Sequence, residues 1–131
     1  MNINFDDIKK KFNEKAKEYS QDKNKTKNLL DEAIKKAKKI GPFEEIWENL
    51  QLLFGIVKDW INGSYKDIPT GSIICIIIGL LYLVSPIDII PDFLPGGLID
   101  DAVVLGIIIK QVRSDLDKYK NWLDENKIEG M

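Results

Sequence analysis

Apolar positions recur at steps of three and four through most of the chain, and they do so in segments of different strength. Phe5, Ile8, Phe12, Ala16 and Tyr19 mark one face of a helix whose other face is lysine-rich. The polar segment Ser20 to Thr26 breaks this pattern. Leu30, Ala33, Ile34 and Ala37 then form a weaker stripe that ends at the stop signal Gly41-Pro42. From Phe43 the stripe strengthens through Trp47, Leu50, Phe54, Val57 and Ile61, widened by Ile46, Leu53 and Trp60, until Asn62-Gly63-Ser64 closes it. A face that wide needs an apolar partner.

The next segment is apolar without periodicity. Pro69 suits the first turn of a helix, with Asp67 near enough to favour its N-terminal dipole. Ile73 to Val84 is continuously apolar and so demands burial on every side. Leu98 to Ile109 is a second apolar run, broken by Asp100 and Asp101. Ala102, Leu105, Ile109, Val112, Leu116, Tyr119 and Leu123 carry it onward as one helix that begins buried and ends amphipathic. With no strand pattern in competition, these segments predict an all-α fold of about five helices around a central hydrophobic helical hairpin over 68–109. A lysine-rich amphipathic region over 1–40 precedes the helical domain over 41–131.

Length leaves open whether the hairpin meets lipid or protein. The strictly apolar first arm extends for about 18 Å as a helix, and the longer arm Ile68–Val84 for about 25 Å, against a hydrocarbon thickness of about 30 Å. Charge placement says more. No Lys or Arg occurs from Asp67 to Ile109, whereas Lys58, Lys66, Lys110, Arg113, Lys118 and Lys120 crowd the flanks, as in a hairpin with both ends on the cytoplasmic side. Trp60, Tyr65 and Tyr119 suit either an interfacial belt or a protein core.

Composition changes the picture through its segregation. Residues 1–40 hold 12 Lys and 7 Asp/Glu, a net of +5, while residues 41–131 hold 7 Lys/Arg and 14 Asp/Glu, a net of −7. The two halves can attract each other, or the basic half can meet an anionic surface. A chain of net charge −2 without a reading motif argues against nucleic acid as a partner. With no histidine, a His general base and a His-ligated zinc site are excluded within the chain. Cys75 is its single cysteine and sits among isoleucines, an apolar filler rather than a nucleophile. The start Met1-Asn2-Ile3-Asn4-Phe5-Asp6-Asp7 does not read as a secretory signal.

The chemistry-bearing stretch is Ser85-Pro86-Ile87-Asp88-Ile89-Ile90-Pro91-Asp92-Phe93-Leu94-Pro95-Gly96-Gly97-Leu98-Ile99-Asp100-Asp101. Ser85, Pro86 and Asp88 read as a helix N-terminal cap, Asp92 after Pro91 as a repeat of the device, and Asp100 and Asp101 as carboxylates at the start of the last helix. The alternative is a carboxylate cluster in which Asp88, Asp92, Asp100 and Asp101 hold Mg²⁺ or another hard divalent cation; Pro91 would disturb the face shared by the first pair.

With its Leu81-Tyr82-Leu83-Val84 lead-in, this stretch resembles the signature of the YkvA-like family, small helical proteins often found or predicted at membranes and without an agreed biochemical function. Tyr82, Ser85, Pro86, Asp88, Ile90, Pro91, Asp92, Pro95, Gly97, Asp100 and Asp101 match family-like positions, and the resemblance extends from Leu81 to Leu105. One departure is that Gly96 alone separates Pro95 from Gly97, where the family pattern has two residues. A deletion of that size turns a following helix by about 100° unless the turn absorbs it.

The expected role is that of a small membrane-associated module, non-enzymatic and without a cofactor, binding a protein partner or anionic lipid at the inner membrane or its cytoplasmic face. The first alternative is a divalent-metal-dependent enzyme of lipid-phosphate or phosphoryl chemistry using the four aspartates. The second is a cytoplasmic, soluble helical inhibitor or immunity-type protein whose acidic half binds a basic target.

Overall fold

A computed structural model describes residues 5–40, 47–84 and 97–129, with side chains at 8–38, 47–84 and 104–125. Among these the chain forms six helices: α1 (Phe5–Ser20), α2 (Lys23–Ile40), α3 (Trp47–Asn62), α4 (Thr70–Val84), α5 (Gly97–Gln111) and α6 (Arg113–Glu129). The all-α prediction holds. The count exceeds five because the single last helix expected from Leu98 onward divides at Val112. The division is slight: Val112 N–H donates to the Ile108 carbonyl at 3.0 Å and Leu116 N–H to the Val112 carbonyl at 2.9 Å, so the i to i−4 ladder runs through the junction.

Helix ends follow local chemistry. Only Gln21 and Asp22 separate α1 from α2, a tighter connection than the whole polar segment suggested. The Asp22 carboxylate accepts hydrogen bonds from the Asn24 and Lys25 amides, both at 3.1 Å, and so caps the start of α2. The Thr26 hydroxyl, fully buried here, lies 2.6 Å from the Tyr19 carbonyl and 3.0 Å from that of Asp22. At the end of α3, Gly63 takes φ +79°, a left-handed conformation that favours glycine, and the Tyr65 amide returns to the Asp59 carbonyl at 3.1 Å. Pro69 precedes the first residue of α4 rather than occupying it, and its carbonyl accepts the Ser72 and Ile73 amides. The Gly41-Pro42 stop agrees with α2 ending at Ile40; residues 41–46, with Phe43 and Ile46, lie outside the described residues.

α4 is the centre of the molecule. Ile73 and Ile76 to Leu83 are buried, as continuous apolarity demands, and the neighbours that bury them are α1, α2, α3 and α5. The lysine-rich α1 and α2 thus serve as a cover, contributing Ile8, Phe12, Ala16, Leu29, Leu30, Ala33 and Ala37 to the core shared with α4. α3 adds Leu50, Leu53, Phe54, Ile56 and Val57, and α5–α6 add Val104, Leu105, Ile108, Ile109, Val112, Leu116 and Tyr119. The apolar partner required by α3 is therefore protein, supplied by α2, α4, α5 and α6. Among the described residues no helix is long and apolar enough to cross a membrane.

Candidate functional site

Burial of one helical stripe leaves the opposite face to solvent, and in α1 and α2 that face is basic. With Ile8, Phe12 and Ala16 inward, Lys9, Lys10, Lys11, Lys15 and Lys17 are exposed; with Leu29, Leu30, Ala33 and Ala37 inward, so are Lys23, Lys25, Lys27, Lys35 and Lys38. Exposed Glu14, Glu18, Asp22, Asp31 and Glu32 offset half of this charge among the described side chains. Lys25 Nζ pairs with Glu18 Oε1 at 2.6 Å, which lowers the Glu18 pKa and raises that of Lys25.

Two lysines reach across to neighbouring helices. Lys36 Nζ donates to the Val84 carbonyl at 3.1 Å, placing a cation on the C-terminus of α4, a helix with no basic residue in its own last turn. Lys23 Nζ stands 5.1 Å from the Trp60 ring, joining the start of α2 to the end of α3.

A second polar assembly lies where the α3–α4 connection meets α6. Tyr119 Oη donates to Asp59 Oδ2 at 2.5 Å and Ser72 Oγ donates to Asp115 Oδ2 at 2.5 Å; at the other end of α3, Arg113 Nη1 donates to Asn49 Oδ1 at 3.0 Å. Tyr65, Tyr119 and Trp122 form an aromatic group with ring centroids 5.1 to 5.8 Å apart. Tyr65 and Tyr119 are buried, so they belong to the core rather than to an interfacial belt; Trp60 is half-buried. Beside them a cleft of about 540 Å³ is lined by Lys66, Asp67, Lys118, Trp122 and Glu125 among others, two cations balanced by two carboxylates.

These hydrogen bonds and ring contacts tie α6 to α3 and α4. Burial, then the Asp59 hydrogen bond and its charge, push the Tyr119 phenol well above its ordinary value. A phenol whose folded pKa exceeds its unfolded value near 10 contributes stability that is fully present below about pH 10 and is lost as pH rises beyond it. Thermal midpoints measured from about pH 8 to about pH 11 are expected to fall over the upper part of that range. The fall should be shallower in Tyr119→Phe, with a residue remaining from Tyr65, whose phenol is also raised, chiefly by burial. Equal slopes in the two proteins would remove Tyr119 from the account. Cys75 behaves as the filler expected: it is half-buried, and burial raises its thiol pKa, leaving little thiolate.

Of the motif residues, Ser85, Pro86, Asp88, Pro91, Asp92 and Pro95 lie outside the described residues. Gly97 is the first residue of α5, which places Asp100 and Asp101 fourth and fifth along it, at the end where the helix dipole favours negative charge. Among the described residues no three metal-ligating side chains converge. The pairs Asp59–Tyr119 and Ser72–Asp115 leave no local signal in the sequence, since the partners are 60 and 43 residues apart.

Residues 72–107, which begin in α4 and end in α5, match the family model described as a protein of unknown function, DUF1232. Over 76 residues, 57% of this chain and 72% of the relative, the sequence is 37% identical to the uncharacterized membrane protein YkvA of Bacillus subtilis (strain 168). No solved structure gives a significant match.

Proposed function

The chain belongs to the YkvA-like family, and from that membership we propose that it is a membrane-associated helical module docking through the lysine face of α1 and α2 on anionic lipid headgroups. The observation that carries the reading is the segregation of charge: ten exposed lysines stand on two adjacent helices whose apolar faces are already engaged with α4. A lysine near an anionic leaflet contributes about 1 kcal/mol, so even a minority of these in contact gives a useful affinity. That the relative is called a membrane protein supports the location, and the cytoplasmic face of the inner membrane offers the anionic surface required. In this reading 1–40 is the docking region and 41–131 the family domain, and no helix needs to cross the bilayer.

Flotation with phosphatidylglycerol vesicles should recover the protein at low salt, and phosphatidylcholine vesicles should not. Raising the salt from about 0.1 M to about 1 M shortens the screening length from about 10 Å to about 3 Å and should release it. Replacing Lys9, Lys10, Lys15, Lys35 and Lys38 together by glutamine should weaken recovery at least about tenfold. Recovery indifferent to lipid charge would defeat the proposal and direct attention to a protein partner.

A further inference from the structure

We propose that α1 and α2 are a displaceable cover and that α4, once uncovered on an anionic bilayer, is the surface that contacts the acyl chains. The inference rests on the docking reading above and assigns the step that follows it.

Three observations carry it. First, beyond its opening turn α4 is apolar around its whole circumference from Ile73 to Val84, with no polar stripe to mark a side meant for water. Second, the helices that cover one side of it are themselves amphipathic, presenting Ile8, Phe12, Leu29 and Leu30 with the small residues Ala16, Ala33 and Ala37. In water the cover must stay shut, because opening would expose both apolar faces. At a membrane both faces find hydrocarbon: α1 and α2 can lie in the interface and α4 beside them, so opening loses no burial. Third, two polar ties that hold α2 down are made by lysines, Lys36 to the Val84 carbonyl and Lys23 over the Trp60 ring. An anionic headgroup competes with the carbonyl and the ring for those ammonium groups. Lipid binding and release of the cover are therefore linked through the same charges. At 15 residues α4 extends for about 22 Å, short of the hydrocarbon thickness, which fits entry into one leaflet rather than a crossing.

The test uses the unsubstituted chain. Vesicles of phosphatidylglycerol, and separately of phosphatidylcholine, carry a diazirine on the acyl chain; after flotation and illumination the adducts are mapped by mass spectrometry. Adducts within Thr70–Val84 are expected, about tenfold more with the anionic vesicles than with the neutral ones. Lys36→Met, which removes one tie, should raise the α4 yield about twofold at sub-saturating lipid. Flotation with adducts confined to α1 and α2 would show a cover that stays shut, overturning the inference while leaving docking intact. Failure to float with anionic vesicles would overturn both.

Discussion

Phe12→Ala is expected to lower the free energy of unfolding by about 3–5 kcal/mol, the usual cost of deleting a buried phenylalanine ring. The loss is large against a total of about 5–15 kcal/mol for a domain of ordinary stability. Phe12 sits on the lysine-rich α1 with 6% of its surface exposed, inside the core that α1 and α2 share with α4. The measurement is urea denaturation followed by tryptophan fluorescence. Trp47, Trp60 and Trp122 lie on α3 and α6, so the probe reports on parts of the molecule remote in sequence from the substitution. A midpoint that moves strongly means that the basic helices and the rest unfold together. A midpoint that stays put would mean that the first forty residues are an appendage on a core stable without them, and the cover over α4 would lose its energetic basis.

Periodicity made much of this architecture legible and left its pairing unread. The spacing of Ile8, Phe12 and Ala16 fixed which face of α1 turns inward, and continuous apolarity from Ile73 to Val84 required burial on every side of α4. Neither pattern says what does the burying, because lipid and leucine satisfy an isoleucine equally well. The structure supplies protein, from α1, α2, α3 and α5. Stops with their own local chemistry were legible too, such as Asn62-Gly63-Ser64, where the positive φ falls on Gly63. The junction at Val112 was not, since no glycine or proline marks it and the backbone ladder continues through it. Of the candidate carboxylates, helix polarity placed Asp100 and Asp101 near the start of α5; any meeting with Asp88 and Asp92 depends on chain outside the described residues. In the sequence the lysines of 1–40 form one basic region. Only the tertiary structure separates the exposed lysines from Lys36, which reaches back to α4, and sets Lys23 over the Trp60 ring.

The α4–α5 contact gives the other large expected effect. The Ile108 side chain is seated over Gly79, so that a Cβ at this position would stand 2.5 Å from Ile108 Cδ1, and Ile108 is fully buried. Gly79→Leu therefore gains helix propensity, about 1 kcal/mol, but inserts a whole side chain into a filled seam, and the net expected is a loss of about 1–3 kcal/mol. Ile108→Ala alone should cost about 2–5 kcal/mol by leaving a cavity. Combined, the new leucine occupies space that the isoleucine vacated, so the double variant should be more stable than the sum of the single losses predicts, by about 1–3 kcal/mol. The cycle is read from urea midpoints of the four proteins. Additive losses would mean that Gly79 and Ile108 do not share the contact and that α4 and α5 are not seated as the structure has them. A favourable coupling would establish that the hairpin is closed by protein packing in water, the state from which any opening on a membrane must begin.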